Sequence, residues 1–177
     1  MELINILIIG SAIVLVLVLW VIVGVRHLLG LVQRIREEWE VVDESLRKRH
    51  DILPNLIETV RGFATDQESL LQDMIDKRVR AAKSYGASGK KIEYEHDLSK
   101  VIDKVIGLGR NFQELSKDTN FLELRKGIDD LEIQIEEKSK NYNVMVRYYN
   151  RHRSGISLRP LAAIWGLKAE NIFEVEI

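Results

Sequence analysis

The chain has 177 residues, with 26 Lys and Arg against 27 Asp and Glu, and no cysteine. That length allows one domain, or one domain with an appendage. A formal charge of −1 argues against a nucleic-acid binder, which carries a basic face. The lack of cysteine excludes disulfides, thiolate metal sites and thiol nucleophiles.

The average hides an asymmetry. Leu3 to Val25 holds no charged residue, and all Lys and Arg follow it. At about 1.5 Å per residue such a helix spans roughly 34 Å, enough for the hydrocarbon core with some tilt. A cleaved secretory signal needs a basic start, a shorter apolar core and a small-residue cleavage site. Here the start is Met1-Glu2 and the run ends in Val23-Gly24-Val25, so residues 1–26 read as an uncleaved transmembrane anchor. Arg26, Arg34 and Arg36 lie just beyond the span. The positive-inside rule then places the N-terminus outside and the larger part in the cytoplasm. Trp20 either sits at the lipid–water interface or faces lipid.

The remainder, residues 27–177, reads as helical with a coiled-coil-like beat. Leu28, Val32, Ile35, Trp39, Val42, Leu46 and Leu53 alternate by threes and fours, with Arg49 in the slot between the last two. That spacing makes one apolar stripe on a helix, continuous from the span to about residue 52. Arg49 on the stripe either snorkels or pairs with an acid, Asp51 or one from a neighbouring helix. Pro54 removes a backbone donor and predicts a break, with Asp51 as cap of a new helix over 54–84. Ser84 to Gly89 is the clearest loop signal. A third helix is expected over 91–115, where Gly107 and Gly109 mark either close helix contact or a bend. The fourth, 120–153, carries Phe121, Leu124, Ile128, Leu131, Ile135, Tyr142, Met145 and Tyr149, with Lys138 and His152 as polar exceptions. Thr119 or Asn120 would cap it. A short helix over about 158–165 stops at Gly166, and an extended tail docks through Ile172 and Phe173.

The fold class is therefore all-α: a transmembrane helix continuing into an antiparallel four-helix bundle, which buries four amphipathic stripes at once. An extended rod packing against other copies is the rival.

Signals for chemistry are sparse. Glu93 and His96 form one Glu-x-x-His, whereas a di-metal bundle uses two such motifs and two further glutamates; a solvated first turn is the plainer reading. There is no phosphate loop and no nucleophile elbow. Arg47, Lys48, Arg49 and His50 fan around the helix rather than forming one patch. Tyr142-Asn143 and Tyr149-Asn150 stand one heptad apart. They form either an internal hydrogen-bonded layer or a face that docks a partner.

The stretch Leu46 to Phe63, LRKRHDILPNLIETVRGF, resembles the signature of the LemA family, with Trp39 and Asp43 at that family's Trp and Asp ahead of it. Asn120-Phe121, the Tyr-Asn repeat and Ala163-Ile164-Trp165-Gly166 are also similar to family motifs. Within the signature Trp39, Arg49, Asp51, Pro54 and Asn55 read as structural. Departures occur at Val25-Arg26-His27, Glu38, Phe112-Gln113 and Glu137-Lys138. The resemblance implies a bacterial or archaeal single-pass protein with a helical bundle, from a family without an established enzymatic activity; no cofactor is expected. The expected function is that of a non-catalytic scaffold or adaptor in the cell membrane. Its expected partners are the bilayer, other membrane proteins or further copies of itself, and not nucleic acid. The alternatives are a self-assembling protein that shapes the membrane and a metal-dependent enzyme.

Overall fold

A computed structural model describes residues 1–174. It is all-α, with no strand among the described residues. Helix α1 is Glu2–Phe63, α2 Glu68–Lys83, α3 Gly89–Gly107, α4 Thr119–Ser154 and α5 Arg159–Ile164. Single 3-10 turns occur at Thr65–Gln67, Leu108–Arg110 and Leu115–Lys117. The chain divides into two compact units. Of the described residues, the first comprises 1–36 and 144–170, the second 37–143 and 171–174.

In the first unit, the N-terminal part of α1 is long and apolar enough to cross a membrane. Its side chains from Leu3 to Trp20 are all exposed. Burial begins at Gly24 and continues at Leu28, Leu31 and Ile35 on one face. Val146, Tyr149, Leu161 and Ala162 are the buried residues from the rest of this unit. Helix α5 closes with a Schellman motif. The Leu167 amide donates to Ala162 O at 2.9 Å and the Gly166 amide to Ala163 O at 3.3 Å. Gly166 takes φ +64°, which this motif requires and side-chain-bearing residues resist. The stop expected at Gly166 is thus present.

In the second unit, the directions of the helices follow from their contacts. Asp43 meets Lys91 and Arg49 meets Glu95, so α1 and α3 run the same way. Arg61 meets Glu68 and the His50 carbonyl meets Arg78, so α2 runs against α1. Thr59, Arg49 and Ser45 meet Asn120, Glu132 and Lys138 in turn, so α4 also runs against α1. The core is the apolar stripe of each segment, including Leu53, Leu56, Val60, Leu71, Met74, Leu98, Val105 and Phe121. Removing such side chains from water, at about 25 cal/mol per Å² of apolar surface, is the main favourable term.

Pro54 does not end α1, contrary to the sequence expectation. A proline removes the bond that its amide would give to the carbonyl four residues earlier, here that of His50. Arg78 of α2 donates from Nε to His50 O at 2.7 Å and takes that place. The helix continues to Phe63, and Asp51 is an exposed mid-helix residue rather than a cap. Replacing Arg78 by methionine is expected to cost about 1 kcal/mol. In a Pro54→Ala background the cost should fall towards zero, because the backbone amide restored by that substitution then serves the same carbonyl. A double-mutant cycle by urea denaturation measures the coupling. Equal costs in both backgrounds would refute this account.

Other boundaries also move. Helix α3 stops at Gly107 rather than near 115, and the chain turns through two 3-10 segments. A Cβ at Gly109 would lie 2.7 Å from Phe121 Cε1, so the close-contact reading applies at Gly109. Around Gly107 there is open space. Gly109→Ala should therefore destabilise by about 1–3 kcal/mol through overpacking of the buried Phe121 ring. Gly107→Ala should not destabilise, which paired thermal melts would establish. The cap of α4 is Asp118, whose Oδ1 accepts from the Phe121 amide at 2.8 Å, not Thr119 or Asn120. Asn120 instead donates to Thr59 Oγ1 at 2.8 Å.

Candidate functional site

Three constructions stand out: a buried charge cluster, a clamp on the C-terminal tail, and an open groove beside the apolar span.

The cluster lies in the second unit, where α1 and α3 face each other. Arg49 is completely buried. It neither snorkels nor pairs with Asp51. Its Nη2 donates to Glu95 Oε2 at 2.6 Å, and its Nη1 donates to Glu132 Oε1 at 2.6 Å and Ser99 Oγ at 2.8 Å. His50 Nε2 lies 3.0 Å from the same Glu95 oxygen, and Lys91 Nζ lies 3.0 Å from Glu95 Oε1. Burial acts to raise the Glu95 pKa. The His50 hydrogen bond and the charges of Arg49, His50 and Lys91 outweigh it and hold the carboxyl at about 2. Glu95 is therefore a carboxylate at neutral pH, committed to its cationic neighbours.

The cluster explains the dense basic stretch on α1. Arg49 and His50 turn inward, while Arg47 and Lys48 stay out and pair with Asp43 and Glu44 one turn earlier. A cleft of about 570 Å³ adjoins it, lined by Trp39, Asp43, Arg47, His50, Asp51, Arg78 and Lys91 among others. Two of the signature residues, Trp39 and Asp51, thus face this cleft. Pro54 and Asn55 are exposed.

Sequence reasoning missed Glu95 and weighed Glu93 and His96 instead. Glu93 is exposed and His96 half-buried. Among the described residues no group of three His, Asp or Glu is placed to hold a metal ion. The missed signal was present in the spacing. Val105, Ile102 and Leu98 step back by three and four to Glu95 and Lys91, so the core stripe of α3 runs on into charged residues. Charge in stripe positions on two helices, Arg49 on one and Glu95 on the other, is the mark of a buried ion pair.

The Tyr-Asn repeat on α4 holds the chain's own tail. In the second unit, Tyr142 donates to Asn171 O at 2.7 Å. Asn143 donates from Nδ2 to Phe173 O and accepts the Phe173 amide at Oδ1, both at 2.7 Å. In the first unit, Tyr149 donates to Lys168 O at 2.9 Å. Asn150 donates to Glu170 O at 2.8 Å and accepts the Glu170 amide at 3.0 Å. Each carboxamide thus bonds the amide and the carbonyl of one residue, as a paired strand would. The spacing has a simple origin. Seven helical residues rise about 10.5 Å, and three extended residues cover about 10 Å. A heptad on α4 therefore matches three residues of tail. Burial pushes the Tyr149 phenol up, so it stays protonated and able to donate.

Phe173 inserts against Trp39, ring centroids 5.4 Å apart and edge-on, and Trp39 meets Tyr142 the same way. Ile172, expected to dock beside it, is 38 % exposed. Successive side chains of an extended segment point to opposite sides, so only one of the two can face the core.

The groove belongs to the first unit. It encloses about 460 Å³ between Arg26, His27, Gly30, Leu31 and Arg34 of α1 and Val144, Met145 and Tyr148 of α4. Val144 is 60 % exposed and Tyr148 44 %. The rings of His27 and His152 meet nearby, centroids 5.7 Å apart and tilted by 59°.

No curated protein matches this chain. The family model of the LemA family matches residues 38–177, which contain the charge cluster and the tail clamp. By that match over most of its length, the chain belongs to the LemA family.

Proposed function

We propose that this protein is a single-pass, non-catalytic scaffold of the cell membrane, which holds another membrane protein at the groove beside its span. The observation that carries the reading is the apolar segment Leu3–Val25. Its side chains up to Trp20 are all exposed, and the groove of Arg26, Leu31, Arg34, Met145 and Tyr148 begins directly after it. A helix so apolar and so exposed is stable only in lipid. A partner that also crosses the bilayer brings its own juxtamembrane helix to this level. Tyr, Met and Arg are the residue types enriched at protein interfaces. Arg26 and Arg34 select an acidic partner segment. Arg26, Arg34 and Arg36 orient the body to the cytoplasm by the positive-inside rule.

Two experiments test the reading. With no native cysteine, Ser88→Cys in the exposed loop reports topology. Protection from an impermeant thiol reagent in intact cells, lost on lysis, is expected; labelling in intact cells would reverse the orientation. A photo-crosslinker at Val144 should capture a membrane protein, and Tyr148→Asp with Arg34→Glu should abolish that product. A crosslink only between two copies of the chain would favour the self-assembly alternative. A crosslink unaffected by those substitutions would remove the groove as the docking site.

A further inference from the structure

We infer that the hairpin joining α4 to α5, together with α5 itself, forms a second membrane contact that lies in the headgroup layer of an anionic leaflet. The inference rests on the reading of Leu3–Val25 as a membrane span. All residues involved belong to the first unit.

The hairpin sits at the end of the span. A Cβ on Gly24 would lie 2.6 Å from Leu161 Cδ1 and 3.0 Å from Leu158 Cδ2, so glycine is what lets α5 approach α1 there. The ring contact between His27 and His152 brings the last turn of α4 level with the first turn after the span. Leu158 at the end of the turn and Leu161 of α5 then lie beside Gly24, which precedes that level on α1.

With Leu161 and Ala162 buried, the remaining large apolar residues of the hairpin are left outward. Ile156 is 97 % exposed, Ile164 74 % and Trp165 48 %. Three such side chains in ten residues are an unusual surface for water, and exposed apolar patches of this kind mark contact sites. What identifies lipid as the occupant is the adjoining span and the charge around the patch. Residues 144–169 contain five Lys and Arg and no Asp or Glu. Arg151, Arg159 and Lys168 are all exposed. Exposed apolar residues among exposed bases are the composition of an interfacial segment, and tryptophan favours that depth. Each base close to an anionic surface strengthens attachment on the order of fivefold.

The test uses the full chain in vesicles of equal parts phosphatidylcholine and phosphatidylglycerol. Single cysteines carry an environment-sensitive fluorophore, and lipids carry quenchers either just below the headgroups or at mid-chain. Ile156→Cys and Ile164→Cys sit at exposed positions and leave the buried face intact. Both probes should be quenched several-fold more strongly by the shallow quencher than a Ser88→Cys probe is. Arg151→Gln with Arg159→Gln should reduce that quenching in these vesicles but not in pure phosphatidylcholine. A Val14→Cys probe, quenched from mid-chain, reports the span itself. Aqueous probes at 156 and 164 beside a quenched Val14 probe would overturn the inference and leave the anchor standing. An aqueous Val14 probe would overturn the anchor as well. Shielding of the hairpin in crowded vesicles that vanishes at one chain per nanodisc would mean that a second copy covers the patch, and would equally overturn it.

Discussion

Arg49→Met is expected to destabilise the protein by about 3–5 kcal/mol, because it leaves the buried Glu95 and the partly buried Glu132 facing each other without their guanidinium. Glu95→Gln should also destabilise, from the other side and by less, because the buried Arg49 then keeps only Glu132 and Ser99 as partners of its guanidinium. The cluster as a whole is a weak source of stability, since the desolvation of its ions offsets most of their attraction. The cost of breaking it comes from the ion left behind. Arg49→Met combined with Glu132→Gln should therefore lose less than the sum of the two single changes, as Glu95 keeps Lys91 and His50. Urea denaturation of the three variants is the measurement. Strict additivity would show that the residues do not act as one network.

The same cluster sets an acid limit. Glu95 titrates near 4.5 in an unfolded chain and at about 2 when folded. Between those values the unfolded state takes up a proton that the folded state does not. The stabilisation is complete above about pH 4.5 and is lost as the pH falls to about 2, amounting to roughly 3 kcal/mol. Other carboxylates titrate in this window too, so the informative quantity is a difference. The stability of the wild type should decline more steeply there than that of Glu95→Gln. Parallel slopes would mean that the Glu95 carboxyl is not depressed.

Phe173→Ala should cost about 3–4 kcal/mol, the loss of a buried ring plus the cavity left against Trp39 and Tyr142. Asn143→Ala should cost about 1–3 kcal/mol, because the Phe173 amide and carbonyl lose their partner together. The two changes should be non-additive, since either one releases the same segment. Limited proteolysis would show this directly, with the tail cleaved early in both variants and protected in the wild type. Protection of the tail in Asn143→Ala would mean that the aromatic cluster alone retains it. The Tyr-Asn motif thus binds the chain's own tail, while Val144 and Tyr148 lie on the exposed side of α4.

Much of this was legible in the residues. The apolar run of Leu3–Val25, the all-helical class, the loop at Ser84 to Gly89, the fourth helix and the stop at Gly166 all follow from local periodicity and turn chemistry. Those signals act within a few residues, so one sequence carries them in full. The tail was legible in part. Its docking through Phe173 was read from composition, but that the Tyr-Asn repeat would receive it was not. Both the repeat and the tail are locally ordinary, and only the matching of helical to extended rise joins them.

What the tertiary structure alone decided are the points at which a distant residue changes a local preference. Pro54 breaks a helix by itself, and Arg78 on another helix supplies the missing donor. Arg49, Glu95 and Lys91 stand in stripe positions that a lone charge would avoid, and become core residues only when they meet. Gly109 weakens a helix in isolation, and here makes room for Phe121. In each case the cost is local and the compensation comes from a neighbour that folding brings into reach. The residues by themselves therefore determined that this chain is a helical protein with one span-length apolar segment. Which of its charges lie inside, and which surface remains free, depended on how the helices pack.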